Sequence, residues 1–138
     1  MDLAKSCDYA VRGLLYLAQQ DDPFEPVLLR EIARRADAPE PYLSKVFQGL
    51  RASNLVRSHR GRRRGYSLAR SPRKISLYDV ILALEGPAAL RSIPEGSDVD
   101  PEEEPFRWVW GRIEEQFVDT MRQTTLRSIL QQTGEVNA

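Results

Sequence analysis

Three observations predict a mostly α-helical fold carrying one small β-hairpin. Apolar residues recur at helical spacing in several separate stretches. Two short runs, residues 55–58 and 66–69, flank a turn bracketed by Gly61 and Gly65, as in a hairpin. Near the end, residues from about 105 to 132 hold a three-to-four periodicity long enough for one extended helix.

The first helix is predicted over residues 2–19. Leu3, Cys7, Ala10, Val11, Leu14, Leu15, Leu17 and Ala18 make it apolar around much of its circumference. That exceeds the needs of a small three-helix core, so the surplus is assigned to a C-terminal helix or a partner subunit. Asp21, Asp22 and Pro23 end the helix. The second helix, residues 28–36, turns Leu29, Ile32, Ala33 and Ala36 inward and lacks a good N-cap residue. Asp37, Ala38 and Pro39 form a turn, and Pro41 suits the first turn of the third helix. There Leu43, Val46, Phe47 and Leu50 fall at i, i+3, i+4 and i+7 and form a buried face. Asn54 tolerates the left-handed backbone that ends a helix, and Leu55 and Leu68 contribute to the core from the two strands. Helix, tight turn, helix and hairpin, in that order, make a winged helix-turn-helix.

Ser76 is expected to cap a fourth helix reaching Leu84, with Leu77, Val80, Ile81 and Leu84 inward, and Gly86-Pro87 stops it. Residues 1–86 thus form the winged domain. Residues 87–104, with Pro87, Pro94, Gly96, Pro101 and the run Glu102-Glu103-Glu104, are expected to be an acidic, mobile loop. Residues 105–138 are assigned to a long dimerisation helix and a tail that frays from Thr133. The proposed dimer interface is Leu14, Phe106, Val109, Trp110, Ile113, Phe117 and Met121. The plainer alternative folds this helix back onto the first helix of its own chain.

Net charge is zero, but the charges are segregated. Residues 1–75 hold 15 Lys/Arg against 8 Asp/Glu, whereas residues 76–138 hold 5 against 12. The front half is therefore suited to anions. No run of 18 apolar residues exists, so no membrane-spanning helix is predicted. Asp8 and Arg12 interrupt the N-terminal apolar run, which argues against a signal peptide. A single cysteine, Cys7, excludes an internal disulfide and fits a reducing cytoplasm.

From Pro41 to Arg73 there is no Asp or Glu. On the third helix, Ser44, Lys45, Gln48 and Arg51 oppose the apolar face; Lys45 can donate to guanine and Gln48 can pair with adenine. Tyr42 either donates its hydroxyl to a phosphate or covers the core. Arg60, Gly61, Arg62, Arg63 and Arg64 form the wing tip, and arginine is favoured in narrow A·T-rich minor grooves. His59 and Tyr66 complete the predicted DNA-binding set. His59 could titrate near neutral pH, the plainer reading being an exposed turn side chain. Cys7 could sense redox state across a dimer; on an apolar helix it is better read as a buried, inert thiol. Glu102-Glu103-Glu104 lacks the spacing of a cation loop and suits a helix N-terminus. Trp108 and Trp110 are dimer or core anchors, or line a ligand pocket beneath the loop.

Asp8-Tyr9-Ala10-Val11-Arg12, Leu15-Tyr16-Leu17-Ala18, Glu31-Ile32-Ala33, Tyr42-Leu43, Leu50-Arg51, Leu55-Val56, Arg60-Gly61, Gly65-Tyr66-Ser67-Leu68-Ala69 and Leu84-Glu85-Gly86-Pro87 together carry a resemblance. The chain resembles the Rrf2 family of bacterial winged-helix regulators, which includes IscR, NsrR, RirA and CymR. The resemblance is close over residues 1–87 and loose over the terminal helix. It implies a cytoplasmic homodimer, a repressor more than an activator, that binds a pseudo-palindromic operator. The third helix would enter the major groove, and Arg60-Gly61 would reach the minor groove. Many members hold an iron–sulfur cluster with three cysteines in the loop before the long helix; residues 87–104 contain none. Cluster irons are held mostly by thiolates, so no cluster is expected. In some members an acid at the position of Asp8 completes the cluster; here Asp8 is read as a surface charge or a partner for Arg12. The resemblance is to the cluster-free branch, whose members sense through a partner protein, a small-molecule effector or a signal of another, unknown kind. The alternative reading is a winged protein-interaction module with weak nucleic-acid binding. No phosphate-cradling glycine loop, Cys/His motif or metal-ligand cluster is present in the sequence, so an enzyme is not predicted.

Overall fold

The computed structural model describes the backbone of residues 3–137 and the side chains of residues 5–133. Its helices are α1 (Leu3–Ala18), α2 (Leu29–Ala36), α3 (Glu40–Ala52), α4 (Leu77–Glu85), α5 (Pro105–Gln123) and α6 (Leu126–Asn137), with strands β1 (Val56–His59) and β2 (Gly65–Leu68) between α3 and α4. The expected start of the first helix at Asp2 lies outside the described residues. Leu14 and Leu17 of α1, Ile32 of α2, Leu43, Phe47 and Leu50 of α3, Leu55, Val56 and Leu68 of the hairpin region, Val80 of α4 and Leu126 of α6 form one buried cluster. The surplus apolar surface of α1 therefore meets α6 of the same chain, as the plainer alternative had it for that part of the C-terminal segment.

Two of the expected local signals have visible causes. Asn54 adopts φ 60, closing α3 in the left-handed region. Ser76 begins α4 with a reciprocal capping box: its hydroxyl accepts from the Asp79 N–H, and the Asp79 carboxylate accepts from the Ser76 N–H.

The hairpin pairs Val56 with Leu68, Arg57 with Ser67, Ser58 with Tyr66 and His59 with Gly65. Its other edge is covered. Val27 and Tyr66 exchange N–H···O bonds of 2.8 Å, and the Leu68 N–H donates to Pro23 O at 3.0 Å. A turn at Pro23 and a one-residue bridge at Val27 thus touch β2 at two points and blunt its edge. Gly65, at φ +130, is pressed so closely against this segment that a Cβ would stand 2.1 Å from Val27 O.

The single helix expected over residues 105–132 is two helices. Thr124 is extended (φ −90, ψ 102) and ends α5. Its carbonyl accepts from the Leu77 N–H at 2.7 Å, and the Leu126 N–H donates to Ile75 O at 3.0 Å. The Thr125 N–H donates to Ser128 Oγ at 2.8 Å and the Ser128 N–H to Thr125 Oγ1 at 3.1 Å, so a second reciprocal cap starts α6. Helical periodicity continues through the break because α6 resumes with Leu126 facing the core. The helix also continues to Asn137, where a fraying tail was expected; Ala138 lies outside the described residues.

The loop after α4 is anchored at its start rather than free along its length. Leu90 is buried with Ile81, Val118 and Met121. Glu114 of α5 accepts from the Ser92 N–H at 3.0 Å, the Ile93 N–H at 3.3 Å and Trp110 Nε1 at 2.6 Å. Glu115 pairs with Arg91 beside it.

Candidate nucleic-acid interface

Helix α3 turns its predicted apolar face wholly inward, which leaves Lys45, Gln48 and Arg51 exposed and Ser44 half-buried on the other side. Gln48 and Arg51 border one open groove of about 530 Å³ with Asn54, Arg57, Ser58 and His59 of the hairpin. Helix and hairpin therefore present their polar sides to the same space. Arg57, absent from the predicted set, is exposed on β1 and lines this groove. Its signal was the alternation with buried Val56, which points position 57 outward.

At the tip, Arg60, Arg62, Arg63 and Arg64 are all exposed. Gly61 takes φ +92 in the turn. Arg63 NH1 lies 2.9 Å from Glu25 Oε2, a carboxylate 38 residues away in sequence that reaches the wing from the α1–α2 connection. Among the described residues, no other arginine of this quartet has a carboxylate within ion-pair distance.

Two of the predicted DNA-contact side chains sit differently from the expectation, and a third takes one of its two open roles. His59 is half-buried at the end of β1, not exposed in the turn, because its Nε2 is hydrogen-bonded to the buried Ser67 Oγ at 2.7 Å. The Tyr66 ring packs edge-on against Phe47, centroids 5.1 Å apart, so its ring belongs to the core. Tyr42, for which two roles were open, packs its ring edge-on to Tyr9 at 5.2 Å and is half-buried.

The predicted dimer set divides. Phe106, Val109, Trp110, Ile113 and Phe117 form an exposed apolar stripe along α5, with Phe106 76% and Phe117 58% accessible. Phe106 and Trp110 stack with centroids 6.1 Å apart. Leu14 and Met121, by contrast, are 0% and 3% accessible. Both are consumed in the chain's own core and offer no surface to a partner, which corrects their assignment. Trp108 is covered by the Arg112 guanidinium at 4.9 Å from its ring. No helix among the described residues is long and apolar enough to cross a membrane.

Residues 3–132 match the model of the Rrf2 family, described as iron-dependent transcriptional regulators. The chain belongs to the Rrf2 family. Its relatives include the Synechocystis protein slr0846, named as an HTH-type transcriptional regulator, 36% identical over 134 residues that cover 94% of this chain and 87% of that one. The HTH-type transcriptional repressor NsrR of Streptomyces coelicolor is 34% identical over 88 residues, covering 64% of this chain and 60% of its own. The solved structure of CymR, the global cysteine regulator of Bacillus subtilis, superposes with a TM-score of 0.72 at 30% identity, covering 90% of this chain and 92% of CymR. This Rrf2 chain is accordingly a winged-helix, DNA-binding transcription regulator and not an enzyme.

Among the described residues, the donors present do not fit the iron of the family's description. Residues 87–104 carry neither Cys nor His. Among the described residues, no three His, Cys, Asp or Glu side chains converge where they could hold a metal ion. The lone Cys7 is half-buried, and its thiol is pushed above its ordinary value by burial first and by Asp8 second. That favours the neutral thiol over the thiolate an iron centre needs. Asp8 instead accepts from Arg12 Nε at 3.1 Å, as the i, i+4 spacing predicts.

Proposed function

We propose that this Rrf2 regulator is a cytoplasmic homodimer that represses transcription from a pseudo-palindromic operator and does so without an iron–sulfur cluster. The observation that carries the proposal is the groove shared by α3 and β1. It brings Gln48 and Arg51 beside Arg57 and His59, in a stretch without acids. Lys45 and Gln48 read base edges in the major groove, and the wing arginines follow the adjacent minor groove and phosphates. The α5 stripe from Phe106 to Phe117 is the exposed surface that pairs with its copy, and a two-fold reader takes half-sites about one helical turn, or a multiple of it, apart. Repression is supported by the name of the NsrR relative. The cluster-free reading is supported by the single cysteine; its signal then comes from a partner protein or a small-molecule effector.

The test is Arg60→Ala, measured on a bound duplex at fixed salt. It weakens binding by about 1–3 kcal/mol and relaxes A·T preference near the wing. Unchanged affinity removes the wing from the interface.

A further inference from the structure

We infer that Glu25 is a brake on the wing: its carboxylate occupies the Arg63 guanidinium and keeps it from DNA phosphates. The inference rests on the reading of the wing as a DNA contact.

Glu25 is held where it can do this by backbone, not by chance. The Glu25 N–H donates to Asp22 O at 3.1 Å, and the Phe24 N–H donates to Asp22 Oδ1 at 2.9 Å, closing a turn. The segment is then fastened to β2 at Pro23 and Val27, on either side of Glu25. Gly65 permits the close approach of Val27. The result delivers one acid to a wing whose own sequence contains none. Of the four tip arginines, Arg63 alone among the described residues is so paired.

The pair is exposed on both sides, with side-chain accessibilities of 79% and 54%. Exposed ion pairs are weak and exchange readily for other anions, so Glu25 grades the affinity of the wing and does not lock it. While the pair holds, the tip presents three net positive charges in place of four. Glu25 also brings a negative charge close to where phosphates must lie. Both effects lower affinity and salt dependence.

The experiment compares Glu25→Gln with the unaltered full chain on one selected duplex over a salt series. Glu25→Gln is expected to bind roughly three- to tenfold more tightly, with the slope of log K against log salt steeper by about one. In an Arg63→Ala background, the gain is expected to fall to about twofold or less. Glu40→Gln is the control for a carboxylate that borders the wing base and, among the described residues, makes no ion pair. Equal gains for Glu25→Gln and Glu40→Gln, a gain that stays undiminished without Arg63, or no gain at all would overturn the brake. Arg60→Ala and Arg62→Ala, read in parallel, separate the two levels. If they weaken binding while Glu25→Gln changes nothing, only the brake fails. If they too change nothing, the wing reading fails with it.

Discussion

The Leu77 N–H donates to the Thr124 carbonyl at 2.7 Å, joining the first residue of α4 to the break between α5 and α6. With the Leu126–Ile75 bond beside it, this makes the C-terminal helix part of the winged domain and carries that domain past residue 86. Leu126 is fully enclosed in the main core. Leu126→Ala is expected to cost about 2–5 kcal/mol and to lower the melting temperature of the whole chain in one transition. If α6 melted alone and left the remaining signal unchanged, the integration would be refuted.

The wing's shape depends on Gly65 more than on Gly61. Both have positive φ, but a Cβ at Gly61 meets nothing within 4 Å, whereas one at Gly65 meets Val27 O at 2.1 Å. Gly61→Ala should cost about 1 kcal/mol, from backbone conformation alone. Gly65→Ala should cost distinctly more and should loosen residues 23–27 from β2. Denaturant midpoints and amide exchange at Tyr66 check this; equal costs for the two variants would contradict it.

The sequence made the winged helix-turn-helix legible because its determinants are local. Leu43, Val46, Phe47 and Leu50 all lie on the buried face of α3, and Asn54 and Ser76 do the terminating and capping their residue types favour. What escaped was long-range. Glu25 meets Arg63 only because residues 23–27 fold onto β2. Leu14 and Met121 share the apolar spacing of a dimer seam, and periodicity cannot say whether a stripe faces its own core or a copy. The break at Thr124 had a signal, the Thr125–Ser128 cap, masked by an apolar repeat that runs on across it. Glu114 lies at i+4 from Trp110, but its hold on Ser92 and Ile93 is tertiary.

The α5 stripe is the basis of the proposed pairing. Phe117→Glu places a charge on an exposed position, so the protomer should stay helical. A charge there is costly once buried against a copy. Sedimentation should show the parent as a dimer and the variant as a monomer with weakened operator binding. A variant that remains dimeric would move the interface off this stripe.

The loop anchor is sensitive to acid. Desolvation works to raise the Glu114 carboxyl, but hydrogen bonds from Ser92, Ile93 and Trp110 outweigh it and hold the group below its ordinary 4.5. A lowered carboxyl contributes stability above its unfolded value and loses it as pH falls through the folded one. Loop attachment should therefore be constant from neutral pH down to about 4.5 and be lost below it. In a Trp108→Phe background, Trp110 emission reports the change, and Glu114→Gln should weaken the anchor already at pH 7. A transition near pH 6 would contradict this assignment.

Two copies of the chain are proposed to read an inverted repeat through α3 and the wing. Selection of duplexes from a random library by the purified chain, at near-physiological salt, tests it most directly. The expected result is enrichment of an inverted repeat with half-sites one helical turn, or a multiple of it, apart. Recovery of no shared sequence, with binding that vanishes as salt rises, would contradict it and reduce the basic face to non-specific attraction.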